Sequence, residues 1–225
     1  MLKYPISTIL WLSKITIKDK IKDILKLDDN IKVYVEVTVK DKNGKTIKYH
    51  KQRSHSFVAN FLDIIANGFV NTGSGASIVY DFTSVAGTTS GTINTPFLNA
   101  GSGNSSYGIV VGTGTTPPTA LDYKLENQIA NGTGSGQLEY GSHSFNPSSG
   151  TVATSGNTSS IQISRQFTNG SGTSITVSEV GMITIVNNTS GTQYYVLIVH
   201  DLLSSPITVA NLSVLQITYT ISITT

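Results

Sequence analysis

The sequence predicts an all-β fold: a single jelly-roll-like β-sandwich with one or two short helices and a basic N-terminal arm. Three observations predict it. Eight or nine segments alternate apolar with polar residues at the period of two that a half-buried strand requires. Clusters of Gly, Ser, Thr, Asn and Pro bound those segments and supply turns. Charged residues make up only 12% of the 225 residues, about half the ordinary share, so the outward faces of the strands are mostly neutral. A chain of this length buries roughly 70% of its unfolded surface, enough for one large core.

Residues 1–30 are set apart by charge. The first 60 residues carry 13 Lys and Arg against 6 acids, a net of +7, and the remainder carries 2 against 7, a net of −5. Within the arm, Ile17, Ile21, Ile24, Leu25 and Leu27 share one helical face, with Lys18, Asp19, Lys22, Asp23 and Lys26 opposite. Ile15 and Ile17 also fit a short strand. A lone helix of this size is marginal in water: burying its apolar side chains yields about 9–18 kcal/mol against about 22 for ordering the chain. It needs a surface, whether its own domain, a neighbouring subunit or a membrane. Ile17, Ile21, Ile24, Leu25, Lys18 and Lys22 are the expected partner contacts.

The sandwich is expected over residues 31–225. Ile31, Val33, Val35, Val37 and Val39 form one face of a strand ending at Lys40, and Asn43-Gly44 turns it into a partner over Lys45–Lys51. Gly44-Lys45-Thr46 imitates the end of a phosphate loop, but the required earlier glycine is Val39, so a hairpin turn is the reading. A helix follows from a Ser56 cap through Asn67, burying Phe57, Phe61, Ile64 and Ile65. Residues 71–106 read as a Gly/Ser/Thr-rich surface insertion with a strand at Ile78–Phe82 and an anchor at Pro96-Phe97-Leu98.

Tyr107–Glu126, YGIVVGTGTTPPTALDYKLE, is the organising stretch. A strand at Ile109–Val111 breaks at Gly112-Thr113-Gly114 and passes Pro117-Pro118. It restarts as a short helical turn, with Thr119 and Asp122 at capping-box spacing and Leu121, Leu125 and Ile129 at helical intervals. It is expected to be a rigid corner joining the halves of the sandwich, with Thr115, Thr116, Pro117 and Pro118 as a subunit-contact loop. Further strands are expected at Gln137–Phe145, Ser159–Phe167, Ser174–Val186, Gln193–His200 and Leu212–Ile223. Tyr194–Val199, apolar on both faces, reads as a central strand, and the last strand presents a neutral face of Gln216, Thr218, Thr220 and Ser222.

Little of this sequence carries reaction chemistry. Arg165 shares strand parity with Ile163 and Phe167, and Glu179 with Val177 and Ile183, so both point inward. If residues 169–173 close a hairpin, the two face each other as a structural ion pair. His50, His55, His143 and His200 match no zinc spacing and read as polar surface residues, and no nucleophile motif accompanies His200-Asp201. No cysteine is present, so thiolate metal sites and disulfides are excluded. Neither a cofactor nor an enzymatic activity is expected. The arm has one arginine nearby, Arg53, and no interleaved aromatics, against sequence-specific nucleic-acid readout.

Three stretches, SFVANFLDII (Ser56–Ile65), GIVVGTGTTPPTALDYKLE (Gly108–Glu126) and ITVSEVGMITI (Ile175–Ile185), followed by a Thr-rich terminal strand, together resemble virion proteins. The order is most similar to the single jelly-roll penton-base and turret proteins at the vertices of turreted icosahedral archaeal viruses, with wider similarity to phage structural proteins. The resemblance spans roughly residues 31–225 and leaves out the arm. It implies a location in the virion capsid and self-association, as a pentamer, beside other capsid proteins. The arm would then face inner capsid proteins or an internal membrane, where each surface Lys adds about 1 kcal/mol against anionic lipid. A tail or fibre module binding host glycans is the alternative, with Tyr80, Phe82, Phe97 and Tyr107 as its candidate aromatics.

Overall fold

The computed structural model describes residues 31–54, 57–70, 83–87, 97–148, 151–187 and 192–225, with the backbone alone for residues 65–70. The arm contacts expected at Ile17, Lys18, Ile21, Lys22, Ile24 and Leu25, the cap at Ser56 and the strand at Ile78–Phe82 lie outside the described residues.

Among the described residues, nine strands and one helix follow in the order β1 (Ile31–Lys40), β2 (Thr46–Arg53), α1 (Ala59–Val70), β3 (Gly108–Gly112), β4 (Glu139–Asn146), β5 (Ala153–Ser155), β6 (Thr158–Thr168), β7 (Ile175–Asn187), β8 (Gln193–Val209) and β9 (Val214–Thr224). They form two antiparallel sheets packed as a sandwich, the all-β class read from the alternation. One sheet has the order β2-β1-β9-β6-β4, with β5 also on β6; the other is β3-β7-β8. The first and last strands of the described chain are neighbours.

Period-two alternation decides which side of the larger sheet is buried. Val33, Val35, Val37 and Val39 of β1 stand opposite Ile221, Tyr219, Ile217 and Leu215 of β9. All of these except the half-buried Ile221 are buried, and each large apolar side chain withdrawn from water contributes ~1.5–3 kcal/mol. The opposite face carries Thr38, Gln216, Thr218, Thr220, Gln162, Ser164 and Gln166, half-buried or exposed. Neutral groups there bond across strands, Gln166 to Gln216 and Gln162 to Thr220, each at 3.3 Å.

The three-stranded sheet is covered on both sides, and β7 is buried along nearly its whole length. Here the central strand is β7, whereas Tyr194–Val199 lies on β8 at the end of that sheet. β8 is nevertheless buried from Val196 to Asp201, because Phe57 bridges to Val199, the Val58 amide reaches the Ile198 carbonyl (3.2 Å) and α1 packs on it. Double-sided apolarity marked coverage by a helix and loop, not a central place in the ladder.

Parts of the 71–106 insertion also belong to this cover. Thr83 exchanges hydrogen bonds with Asn60 of α1, the Val85 amide bonds the Tyr195 carbonyl at 2.8 Å, and Phe97 bridges to Ile185 of β7. The Phe97-Leu98 anchor is apolar and finds the sheet. Residues 169–174 do not close a hairpin. They cross from β6 in one sheet to β7 in the other. Buried Asn169 fixes this crossing by donating to the carbonyls of Thr173 and Val209, both at 2.8 Å, and accepting from the Ser171 amide.

Candidate functional site

The Tyr107–Glu126 stretch leaves the smaller sheet after β3, and the next strand, β4, lies in the larger one. It therefore joins the two sheets. Its outward loop is closed at the base: the Thr113 amide bonds the Asn127 carbonyl and the Ile129 amide bonds the Val111 carbonyl, each at 2.9 Å. The expected helical restart is only a turn. Thr119 donates its hydroxyl to Asp122 Oδ1 (2.6 Å) and its amide to Oδ2 (2.9 Å), so the capping-box spacing is used, but Leu121 is exposed while Leu125 and Ile129 are buried. Two prolines directly before it prevent the preceding residues from entering a helix.

Beneath this loop lies Glu179 of β7, in register with Gly112 and only 1% exposed. Its Oε1 accepts the amides of Gly114 (2.9 Å) and Asn127 (2.8 Å), and Oε2 accepts that of Glu126 (3.0 Å). One carboxylate thus satisfies three backbone donors that the loop cannot pair internally. The glycines of the corner follow from this. A Cβ at Gly112 would overlap the Glu179 carboxylate and the Asn127 carbonyl, and at Gly114 it would lie 2.6 Å from Glu179 Oε1. Gly112→Ala is expected to destabilise the protein by ~1–3 kcal/mol through overpacking, read as a lower denaturant midpoint at unchanged slope.

His200 of β8, 3% exposed, sits between two carboxylates. Nε2 is 2.9 Å from Glu179 Oε2 and Nδ1 is 2.7 Å from Asp122 Oδ2. Only a doubly protonated imidazole serves both. Burial works against that charge, but the hydrogen bonds and charges of Glu179 and Asp122 outweigh it and raise the His200 pKa. Burial likewise works to raise Glu179, yet His200 and the three amides hold its pKa below the usual carboxylate value. For Asp122, burial is outweighed by Thr119 and then His200, with a lowered result. Glu126 caps the outer turn through the amides of Thr116 (2.9 Å) and Thr115 (2.7 Å), and those bonds lower its pKa. A cleft of about 240 Å³ opens here, lined by Thr116, Pro117, Asp122, Tyr123, Leu125 and His200 among others.

The arrangement is suited to holding the loop and poorly suited to acyl transfer. Both nitrogens of His200 face carboxylates, so neither accepts a proton from a nucleophile, and the Thr119 hydroxyl bonds Asp122. Among the described residues, no group of three or more His, Asp or Glu is placed to hold a metal ion.

Arg165 and Glu179 are both inward and buried, as parity indicated, but they do not pair. Arg165 is on β6 of the larger sheet and Glu179 on β7 of the smaller, because residues 169–174 cross over. All five Arg165 donors end on backbone carbonyls: Nε on Gly141, Nη1 on Tyr107 and Ile109, and Nη2 on Gly101 and Asn104. The guanidinium also stands 4.8 Å from the Tyr140 ring centroid. Burial lowers its pKa to about 10, which still leaves it charged at neutral pH. Beside it, His143 accepts the Ile109 amide at Nε2 (2.7 Å) and donates from Nδ1 to the Ala100 carbonyl (3.0 Å), the neutral tautomer. Burial lowers its pKa to about 4.

His200 is thus buried and functional to the fold, against the surface reading. Its position directly after the apolar run Tyr194–Val199 was the available signal, since a histidine in a covered strand needs partners. Thr115, Thr116 and Pro117 are exposed and Pro118 half-buried, at the tip of the loop that Glu179 and Glu126 hold. Phe97 and Tyr107 come together edge-to-face at 5.8 Å, and Tyr107 stacks on Tyr195 at 6.2 Å; Tyr80 and Phe82 lie outside the described residues. No described helix is long and apolar enough to cross a membrane. Comparison with known proteins found no matching family model, no matching curated protein and no matching solved structure.

Proposed function

We propose that the chain is a virion structural protein, a penton-base or turret component of a capsid vertex, which acts by subunit assembly. The observation that carries the reading is the outer face of the larger sheet. Across β4, β6 and β9 it presents Ser144, Ser164, Gln166, Gln216, Thr218 and Thr220, with cross-strand hydrogen bonds already formed and no charge among these residues. Interface cores are depleted of charge because its desolvation is costly, whereas neutral hydroxyl and amide groups make wet, hydrogen-bonded contacts. Charged residues sit at the border, on β1 and β2, where Lys51 pairs with Glu36 at 2.8 Å, and at the start of β4, where Glu139 is exposed. The rigid Thr115–Pro118 corner is a second contact, and the basic arm at residues 1–30 reaches a neighbouring capsid protein or an internal membrane surface.

The test places like charges on that face of every copy. Gln166→Lys with Thr218→Lys is expected to leave the fold intact by circular dichroism, dissociate the oligomer and abolish incorporation at capsid vertices seen by electron microscopy. Undiminished assembly of the double variant sinks the reading. The Phe97–Tyr107–Tyr195 cluster, with Phe97 39% exposed, favours the glycan-binding alternative. A glycan array answers it: binding abolished by Phe97→Ala supports a recognition module, and a blank array removes it.

A further inference from the structure

We infer that the Asp122–His200–Glu179 chain is a proton-dependent latch, holding the Thr119–Asp122 turn of the Gly112–Gln128 loop on β8 only while the imidazole carries both protons. The inference begins with geometry. Carboxylate oxygens lie 2.7 and 2.9 Å from the two ring nitrogens, and a neutral imidazole has one N–H to offer. Loss of a proton therefore sets a lone pair against a carboxylate on one side. The Glu179 side is 1% exposed and tied by three loop amides, while the Asp122 side chain is 23% exposed. Release accordingly occurs at Asp122, and the turn it forms with Thr119 lifts from β8, widening the cleft.

Few other charges face the ring. Glu126 and Lys124 of the loop line the same cleft; Glu126 is engaged by the Thr115 and Thr116 amides, and Lys124 lies 5.7 Å from the Tyr123 ring. Asp201, the next residue of β8, turns away to accept Ser54 and Tyr219 hydroxyls. Asp63 is the one ionisable residue of α1, and it has an interaction of its own.

The raised pKa of His200 and the lowered values of Asp122 and Glu179 set the direction. On the alkaline side, the stabilisation is complete below the ordinary histidine value and is lost as pH rises through the raised one. On the acid side, it is present above the ordinary carboxylate values and is lost as pH falls through the lowered ones.

The latch is intramolecular and is tested on the full chain in solution, so it stands or falls separately from the assembly reading. Nitrogen-15 imidazole spectra at neutral pH are expected to show both His200 nitrogens protonated, with the neutral His143 as an internal contrast. Raising pH through the His200 titration is expected to speed exchange of the Thr119 amide, which bonds Asp122, and of the Ala59 amide, which bonds the Ala120 carbonyl of the same turn, about tenfold beyond base catalysis, the loss of roughly one charge-assisted hydrogen bond. Amides pairing β6 with β9 stay unchanged. Asp122→Asn removes the demand for the second proton and is expected to abolish the step, with the fold retained. A singly protonated His200 at neutral pH, loop and sheet amides exchanging together, or a step that survives Asp122→Asn overturns the latch.

Discussion

Glu179→Leu is expected to lower the unfolding free energy by about 3–5 kcal/mol, the range for removing one partner of a buried charged pair. The leucine is apolar and of similar bulk, so the loss comes from what remains behind. The amides of Gly114, Glu126 and Asn127 lose their acceptor, and each buried unpaired donor costs ~1–3 kcal/mol. His200 also loses the carboxylate that stabilises its charge. Part of the sum is relieved because the loop opens to water, which keeps the total inside that range. Glu179→Gln is expected to cost less, since its carbonyl oxygen still accepts. Urea unfolding of the three proteins checks the order, and a Glu179→Leu cost under about 1 kcal/mol contradicts the role given to this carboxylate.

Arg165→Met is expected to be comparably damaging, again ~3–5 kcal/mol, although no anion is left behind. Five carbonyls, four of them from residues 101–109, lose their donors in a region where Tyr140 and Phe167 are buried. Arg165→Lys is expected to recover little. An ammonium has three donors and no planar fork, so it cannot span Gly141, Tyr107, Ile109, Gly101 and Asn104 together. Limited proteolysis gives a second readout: cleavage first within residues 98–107 is expected in both variants. His143 adds a pH dependence of opposite sign to that of His200. Its folded pKa of about 4 lies below the ordinary histidine value of 6.5. The unfolded chain binds the proton first, so this contribution is present above 6.5 and falls away as pH drops towards 4.

The strands were legible because one rule, period-two alternation, governs any half-buried sheet, and β1 obeys it from Val33 to Val39 and β9 from Leu215 to Tyr219. Burial of Arg165 and Glu179 was legible for the same reason. Their partners were not, because parity fixes a face and leaves the opposing strand unspecified. Whether residues 169–174 turn back or cross between sheets depends on Asn169 reaching Val209, forty residues away. β8 misled through a related ambiguity: apolarity on both faces is equally satisfied by a neighbouring strand or by α1 and Phe57. At the corner, the Thr119–Asp122 spacing was readable locally. The convergence of Asp122, Glu179 and His200 joins three distant segments and has no local signature.

The buried ionisable groups hold loops to sheets, and under the proposed function the neutral part of the outer face contacts other subunits. Native mass spectrometry of the full chain at neutral pH and micromolar concentration measures that division most directly. A closed oligomer of defined stoichiometry, dissociated by the paired Gln166→Lys and Thr218→Lys substitutions, is the expected result. A monomer at every concentration, unchanged by those substitutions, contradicts it.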